Sequence, residues 1–232
     1  MKVLEYLYDP HTHTAEVSHC GRLGASELVE RYRGQGFAGI AVTDHLHEEY
    51  IASLDCRDDW QACVSAYLKG YRRAIDSAQK VGMDVLLGAE IRFPENDRDF
   101  LVYGIDEAFL RRNPYLYRLG CRTFFERFSG ETLIIQAHPF RDFDEADGDI
   151  PTGCVHGLEV LNRSPRHDSQ NERAAKLLDR HPRLVALCGS DTHRPGDEAR
   201  AAMVFRRRIS DSSLFKDAVK SGLYEIRQLG GA

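Results

Sequence analysis

Histidine and carboxylate side chains follow one short apolar run after another along this sequence. Neutral imidazole and carboxylate groups bind zinc, manganese and iron, and a carboxylate can bridge two ions. The pattern therefore indicates a metal-binding centre. Its members are His11 and His13 after the first run, His19 in the loop beyond them, His45 after residues 37–43, Glu90 in the third run, His138 after residues 133–137, and Asp191 and His193 after residues 184–189.

The spacing of these residues supports a shared site. Side chains two residues apart on an extended segment point to the same side, so two such neighbours can grip one ion. His11 with His13, and Asp191 with His193, have this spacing. A single histidine after a strand more often makes an ordinary hydrogen bond, but six of the ten histidines share the pattern. The other four are interpreted as surface or supporting residues: His47, His156, His167 and His181.

The elements that must position these residues alternate along the chain between strand-like and helix-like patterns. A first strand and the loop after it are predicted at residues 6–14. Further strands are predicted at 37–43, 84–93, 100–105, 132–137, 157–161, 184–188 and 202–205, and helices at 26–33, 59–81 and 169–180. This alternation favours parallel strands with helices outside them, and at 232 residues it predicts one α/β barrel domain over residues 1–232. Such barrels carry their chemistry at the carboxyl ends of the strands, where these histidines and acids fall.

Composition narrows the classes of function. The net charge is −5, whereas a protein that grips a nucleic-acid backbone usually has clustered Lys and Arg, so nucleic acid is an unfavoured partner. The six cysteines form no CxxC pair and are interpreted as reduced thiols. Neither a secretory signal nor a stretch of 18 apolar residues is apparent, which favours a cytoplasmic protein without a membrane partner.

Taken together, the motifs resemble the PHP (polymerase and histidinol phosphatase) family of metal-dependent phosphoesterases. They read DPHTHT (9–14) followed by His19, AVTDH (41–45), GAEIRF (88–93), AHPF (137–140) and GSDTH (189–193), and they span nearly the whole chain. The resemblance implies a distorted (β/α)7 barrel similar to a TIM barrel. It also implies two or three divalent ions of zinc, manganese or iron.

The resemblance also implies which residues hold each ion. His11, His13, Glu90 and Asp191 would bind the first ion, and His19, His45 and His193 the second. Glu90 would bridge to a third ion that His138 also binds. Asp99 stands where many members of the family have a further histidine, so it either replaces that ligand or merely begins a strand. A hard carboxylate ligand there would favour manganese, iron or magnesium over zinc.

The expected reaction is hydrolysis of a phosphate ester by a metal-activated water, because clustered divalent ions lower the pKa of a bound water to near ~7. The catalytic candidates are Glu90, which would bridge the ions, and His45 and His193. Either histidine, or a metal-held water, could protonate the leaving group. A guanidinium binds phosphate through two hydrogen bonds. The candidates for binding substrate are Arg92, Arg141, Arg194 and His167, with Arg163 and Arg166 in the same loop as His167.

The chain is short and acidic, so a small phosphate monoester or a nucleotide is the favoured substrate class. Three alternatives remain open. One is a 3′-5′ nuclease or a phosphotyrosine phosphatase of the same family; the nuclease would need a basic surface, for which Arg111–Arg112 and Arg206–Arg208 are the candidates. Another is a non-catalytic metal-binding module. The last is a barrel hydrolase of C–N or C–O bonds, since amidohydrolases have similar HxH openings.

Overall fold

The apolar runs form strands and the amphipathic segments form helices in a mixed α/β structure. A computed structural model describes residues 4–54, 56, 58–95, 97–141 and 150–230. The strands are β1 (Tyr6–Thr12), β2 (Gly39–Val42), β3 (His45–Leu46), β4 (Asp84–Leu87), β5 (Ala89–Arg92), β6 (Asp99–Tyr103), β7 (Leu133–Gln136), β8 (Gly157–Asn162), β9 (Val185–Gly189), β10 (Ala201–Phe205) and β11 (Glu225–Gln228). The α-helices are α1 (Ala25–Gly34), α2 (Glu48–Ala52), α3 (Trp60–Tyr67), α4 (Lys69–Val81), α5 (Glu107–Arg112), α6 (Cys121–Phe128), α7 (Asn171–Asp179) and α8 (Ser212–Lys220).

The strands form two sheets. One has five strands in the order β11-β10-β1-β2-β4, and the other has six in the order β3-β5-β6-β7-β8-β9. An isolated parallel bridge between Thr12 and Thr192 joins the end of β1 to the segment after β9. The predicted site residues therefore come from both sheets and meet where the sheets approach each other.

The prediction of parallel strands is right for part of the structure and wrong for the rest. β1, β2 and β4 run parallel, as do β7, β8 and β9. In contrast, β6 is antiparallel to both β5 and β7, and β10 is antiparallel to both β1 and β11. Only residues 93–98 connect β5 to β6, which is too short for the helical crossover that a parallel pair requires. As a result, the first residue of β6 lies at the same edge as the last residue of β5.

Helix boundaries follow local chemistry. Side chains of Asp59, Asp106 and Asp211 accept hydrogen bonds from the free backbone N–H groups at the starts of α3, α5 and α8. α4 ends at Gly82, which adopts the left-handed conformation with φ 66°. The single long helix predicted over residues 59–81 is instead two helices, α3 and α4, because Leu68 between them has ψ 3° and interrupts the helical path.

The interior has an apolar part and a polar end. Aliphatic and aromatic side chains of both sheets and the surrounding helices fill three buried clusters. Beside them, several ionisable side chains are almost completely buried, at 0–2% exposure: Asp9, His11, His13, Asp44, Glu90, Glu159 and Asp191. Buried ionisable groups are rare unless they are paired or bind metal, so this polar end of the interior marks a functional site. Within the described ranges, no helix is both long and apolar enough to cross a lipid bilayer.

Gly70 lets helix α4 approach the polar end of the interior closely. A Cβ atom at this position would overlap the hydroxyl of Thr14 and would lie 3.0 Å from Oδ2 of Asp44. Thr14 donates to Asp44 through both its backbone N–H (2.7 Å) and its hydroxyl (2.6 Å). The absence of a side chain at residue 70 therefore protects hydrogen bonds that hold the loop after β1.

We expect Gly70→Ala to destabilise the protein by about 1–3 kcal/mol, although alanine favours helices, because overpacking outweighs helix propensity here. The measurement is the free energy of unfolding in urea. Gly34→Ala, at the end of α1, is the matched control, since a Cβ there meets nothing within 4 Å. The control should be neutral or stabilising by up to ~1 kcal/mol. Equal effects of the two substitutions would contradict the close packing of Gly70.

Candidate metal centre

The strand ends bring most of the predicted ligands into one buried cluster. His11 lies on β1 and His13 directly follows that strand, where its backbone N–H donates to the carbonyl of Thr192 at 2.9 Å. His45 on β3 lies directly opposite Glu90 on β5 in a parallel pair. His138 follows β7, and Asp191 and His193 follow β9. His138 and Asp191 both have positive φ angles, of 26° and 51°, which is uncommon for residues with a side chain.

His11 and His13 converge on two carboxylates. Nε2 of His11 lies 3.4 Å from Oε1 of Glu90 and 3.6 Å from Oδ1 of Asp191. Nε2 of His13 lies 3.2 Å from Oε2 of Glu90 and 3.4 Å from the same Asp191 oxygen. His11, His13 and Asp191 each offer one ligand atom within 4.8 Å of the others, and they are three of the four residues expected to bind the first ion.

A second group of ligand atoms adjoins the first. His13, His45 and His193 offer nitrogens within 4.8 Å of one another, and the ring centroids of His13 and His193 are 4.0 Å apart. Nδ1 of His45 lies 2.9 Å from Oε2 of Glu90, and Nδ1 of His193 lies 3.1 Å from Oδ1 of Asp191. The two carboxylates thus stand between the two groups, as bridging ligands would.

Two further groups share Glu90. His138 Nε2 lies 3.0 Å from Oε1 of Glu90, and His11, Glu90 and His138 form one possible ligand set. His45, Glu90 and Asp99 form another. Both oxygens of Asp99, however, also accept hydrogen bonds from the guanidinium of Arg92, at 2.9 Å each.

Several ligand atoms in the cluster are buried without a hydrogen bond. Within the described part of the chain they are His11 Nε2, His13 Nε2, His45 Nδ1, Glu90 Oε2 and Asp191 Oδ1. They lie near one another but lack the alignment of hydrogen bonds, and a buried polar atom without a partner is costly. All five atoms belong to residue types that bind divalent metals, so the donor set fits metal ions.

Hydrogen bonds at Nδ1 orient His11 on β1 and His13 just after it. Glu159 on β8 lies 2.9 Å from Nδ1 of His11 and accepts from the backbone N–H of His138 at 2.9 Å. Nδ1 of His13 lies 3.2 Å from the Ser18 hydroxyl, which donates to Asp44 at 2.7 Å. Fixing Nδ1 leaves Nε2 directed at the cluster, as is usual for histidine ligands. Glu159 was not predicted, although an acid inside the apolar run GLEVL (157–161) was a usable signal.

The cluster stabilises charged forms of its members. Burial disfavours protonation of His11, but the carboxylates of Glu159, Asp191 and Glu90 outweigh burial and raise its pKa well above the usual value. The pKa of His193 rises to about 9, where burial is outweighed by the hydrogen bond to Asp191. The pKa of Glu90 and that of Asp191 fall well below their usual values, because neighbouring cations outweigh burial. Without metal, protons on His11, His45 and His193 therefore balance the two carboxylates.

The structure does not bring His19 to this centre. Its side chain is exposed, 3.4 Å from the Ser53 hydroxyl and beside the ring of Tyr50. The turn at residues 14–21 is closed by hydrogen bonds from Ser18 to Thr14 and from Gly21 to Ser18, and it places the neighbouring Cys20, an exposed residue, at the cleft instead. Cys20 lines the cleft with His45 and His193, and sequence reasoning missed it. Burial alone would raise the pKa of the Cys20 thiol, but hydrogen bonds with His193 and His45 lower it to about 5.

The centre opens into a cleft with a volume of about 380 Å³. Of the four residues predicted to bind substrate, Arg92, Arg141 and His167 line this cleft. Arg194 does not line it; its side chain is exposed, while its backbone N–H donates to Asp197. Arg98, which was not predicted, and Arg166 line the cleft as well.

Two of these guanidinium groups contact the ligand residues directly. Arg141 donates to Asp191 and, at 3.0 Å, to Oδ1 of Asn162. Nη2 of Arg166 lies 2.7 Å from Nδ1 of His193 and 4.0 Å from Oδ1 of Asp191. Positive charge is therefore concentrated on the wall of the cleft that faces the cluster.

Comparison with known proteins identifies the family of the chain. The PHP domain family model matches residues 9–217, and the chain belongs to the PHP domain family. No curated protein sequence matches the chain significantly.

Among solved structures, a two-domain protein from Bacteroides vulgatus containing a predicted PHP-like metal-dependent phosphoesterase is similar, with a TM-score of 0.67 and 18% identity. The match covers 97% of this chain and 65% of that one, so this chain spans less than two thirds of its length. A candidate metal-dependent phosphoesterase from Bifidobacterium adolescentis matches with a TM-score of 0.55 and 17% identity, over 90% of this chain and 94% of that chain.

An amidohydrolase from Chromobacterium violaceum, with bound sulfate and no metal, matches with a TM-score of 0.53 and 20% identity, over 83% of this chain and 89% of that chain. At these identities the likeness establishes a shared fold.

Metal binding to the metal-free protein should release protons. The pKa values of His11, His45 and His193 are raised, that of His193 to about 9, so these rings carry protons at pH 7 that a metal ion must displace. We expect the affinity for Zn²⁺ or Mn²⁺ to rise from pH 6.5 to 8, by about tenfold per pH unit for each proton released. Titration calorimetry in two buffers of different ionisation enthalpy measures the release. An affinity independent of pH would contradict the protonated cluster.

Cys20 should be the first cysteine to react with iodoacetamide in the metal-free protein. With its pKa at about 5, the thiol is mostly thiolate at pH 6.5, and the thiolate is the nucleophile. Cys63 and Cys121 are internal controls, because burial raises the pKa of each to about 12. Peptide mass spectrometry should show labelling of Cys20 at a rate nearly constant from pH 6.5 to 8. A rate that climbs steeply over this range would indicate an ordinary thiol.

Proposed function

We propose that this protein is a hydrolase that uses two or three divalent metal ions to cleave a small phosphate monoester or a nucleotide phosphate. The observation that carries the proposal is the set of five buried ligand atoms without hydrogen bonds, facing a cleft lined by arginines. Membership of the PHP domain family supports the same reading. We further propose that the two sheets belong to the distorted (β/α)7 barrel expected for this family.

The residues of the cluster suit ion binding in the following way. His11, His13 and Asp191 would hold one ion, and His45 and His193 another, with Glu90 reaching both groups. His138 would add a ligand beside Glu90 and His11. Divalent ions bound there would supply a water with a pKa near ~7 and would neutralise charge on the phosphoryl oxygens. Glu159 and Ser18 keep the β1 histidines aligned for this role.

Arg141 and Arg166 would bind the phosphoryl group. Both side chains are mostly buried, at 14% and 20% exposure, and both guanidinium groups face the carboxylate of Asp191. With Asp191 engaged in ion binding, their N–H groups are available for the oxygens of a phosphate. Guanidinium groups recognise phosphate with fixed geometry, which orients the ester for in-line attack.

The leaving oxygen needs a proton donor. Because His45 and His193 would each hold an ion and lose a proton to it, we assign this role to a water that the ions would hold beside this pair. Both line the cleft, and His45 is the more accessible of the two, at 18% side-chain exposure against 4%.

The surface charges favour a small substrate over nucleic acid. In the two arginine groups considered as candidates for a basic surface, the side chains of Arg111, Arg112, Arg206 and Arg208 form ion pairs with acids. Such pairs present little net positive charge to a long polyanion, and the chain as a whole carries −5.

The direct test is elemental analysis of protein purified without added metal, followed by a phosphate-release panel on the same sample. The panel contains histidinol phosphate, nucleoside monophosphates, a phosphotyrosine peptide and a short oligonucleotide. We expect two or three metal equivalents and release from one small monoester class. Release only from the oligonucleotide would establish a nuclease, and release only from the peptide a tyrosine phosphatase. No bound metal, and no release after manganese, zinc or iron is added, would leave a binding module.

Glu90→Gln should lower turnover by at least about 100-fold and reduce metal content, because its carboxylate reaches both ion groups. The fold should persist, since the amide has the same shape, and circular dichroism checks this. Arg194→Ala is the control, because its side chain is exposed and lies off the cleft. Wild-type turnover in Glu90→Gln would refute the bridging role.

A further inference from the structure

Arg92 and Asp99 form a cross-strand pair at the rim of the metal centre. Arg92 is the last residue of β5 and Asp99 the first residue of β6, and the antiparallel register places them directly opposite each other. Nε and Nη2 of Arg92 donate to the two oxygens of Asp99 at 2.9 Å each. This two-point geometry matches the planar guanidinium to the planar carboxylate and holds both in one orientation.

The same carboxylate is a candidate metal ligand, so two roles compete for it. Asp99 has an oxygen within 4.8 Å of ligand atoms of His45 and Glu90. The guanidinium, however, is permanently charged and already engages both oxygens of Asp99. By contrast, Glu90 and Asp191 each have an oxygen that is buried with no hydrogen bond among the described residues. Asp99 therefore differs from Glu90 and Asp191, because both of its oxygens already have hydrogen-bond donors.

Arg92 lies where its guanidinium can reach a bound ligand. Arg92 lines the cleft that leads to the metal centre, and it also lines an adjoining cleft that Phe93 and Tyr117 border. Its side chain is 35% exposed, whereas that of Asp99 is only 8% exposed. Asp99 is thus the anchored partner, and Arg92 is the partner that a ligand can reach. Free N–H groups of the guanidinium remain for an anion after the two bonds to Asp99, because a guanidinium carries five.

We propose that Asp99 is a positioning residue for Arg92 and not a metal ligand, and that the oriented Arg92 binds the phosphoryl group of the substrate at the boundary of the two clefts. This inference rests on the proposed phosphoesterase site. The family resemblance places a ligand of the third metal ion at Asp99, whereas this proposal gives the Asp99 carboxylate to the guanidinium of Arg92. Glu90 and Asp191 then bind the ions together with the histidines of the cluster, which are His11, His13, His45, His138 and His193.

The test compares Asp99→Asn with wild-type protein in two measurements that need no turnover. The first is metal content per chain by elemental analysis after saturation with Mn²⁺ and gel filtration. The second is the affinity of the metal-loaded protein for inorganic phosphate, by titration calorimetry. We expect the metal content of Asp99→Asn to equal that of the wild type and its phosphate affinity to fall about tenfold, because Arg92 loses its orientation. His138→Gln is the control for a true ligand and should lose metal.

Arg92→Gln should weaken phosphate binding by about the same factor, and the double variant should be no weaker than either single variant, because the two residues act as one unit. Arg92→Lys keeps the charge but loses the two-point geometry, and it should recover only part of the affinity. The Arg92 variants also keep the proposal testable if Asp99→Asn does not fold.

Loss of a metal equivalent in Asp99→Asn, unchanged phosphate affinity in either single variant, or additive effects in the double variant would each overturn the proposal. Absence of turnover on every phosphate ester would refute the proposed function while leaving these metal and phosphate measurements interpretable.

Discussion

Charge compensation of the buried Glu90 carboxylate shapes the whole site. Its side chain is only 1% exposed, and four imidazole rings approach it from different elements of the fold. Their nitrogens lie 2.9–3.4 Å from its two oxygens and belong to His11, His13, His45 and His138. A buried carboxylate is tolerated only when cations compensate it. In the metal-free protein the protonated rings of His11 and His45 do so, and in the proposed enzyme divalent ions would take their place.

This constraint explains much of the polar interior. Once Glu90 and Asp191 are buried, the histidines must be held with their free nitrogens inward, which requires acceptors behind them. Glu159 and the Ser18–Asp44 pair meet this need from β8 and from the segments after β1 and β2. Gly189 permits the approach, since a Cβ there would lie 2.9 Å from Oε1 of Glu159 and would overlap the side chain of His11. The core near the site is therefore shaped by hydrogen bonding as much as by apolar packing.

Charge outside the cluster is divided between surface pairs and the cleft. Many exposed arginines form ion pairs with neighbouring acids and contribute little to binding of a distant anion. The arginines of the cleft are different because they face buried groups in a partly desolvated space, where electrostatic interactions are stronger. The chain can thus be acidic overall and still concentrate positive charge at one opening.

The family, the alternation of strands and helices, and most of the residues that meet at the centre could be predicted from the sequence. These features depend on local patterns: residue type, two-residue spacing, and position after an apolar run. Three features became visible in the folded chain: Cys20 and not His19 lines the cleft, Glu159 supports His11, and Arg92 holds Asp99. Each of these depends on which side of a turn faces inward or on which residue of another strand lies opposite. Such contacts join residues that are far apart in sequence or separated by a turn, and no local pattern encodes them.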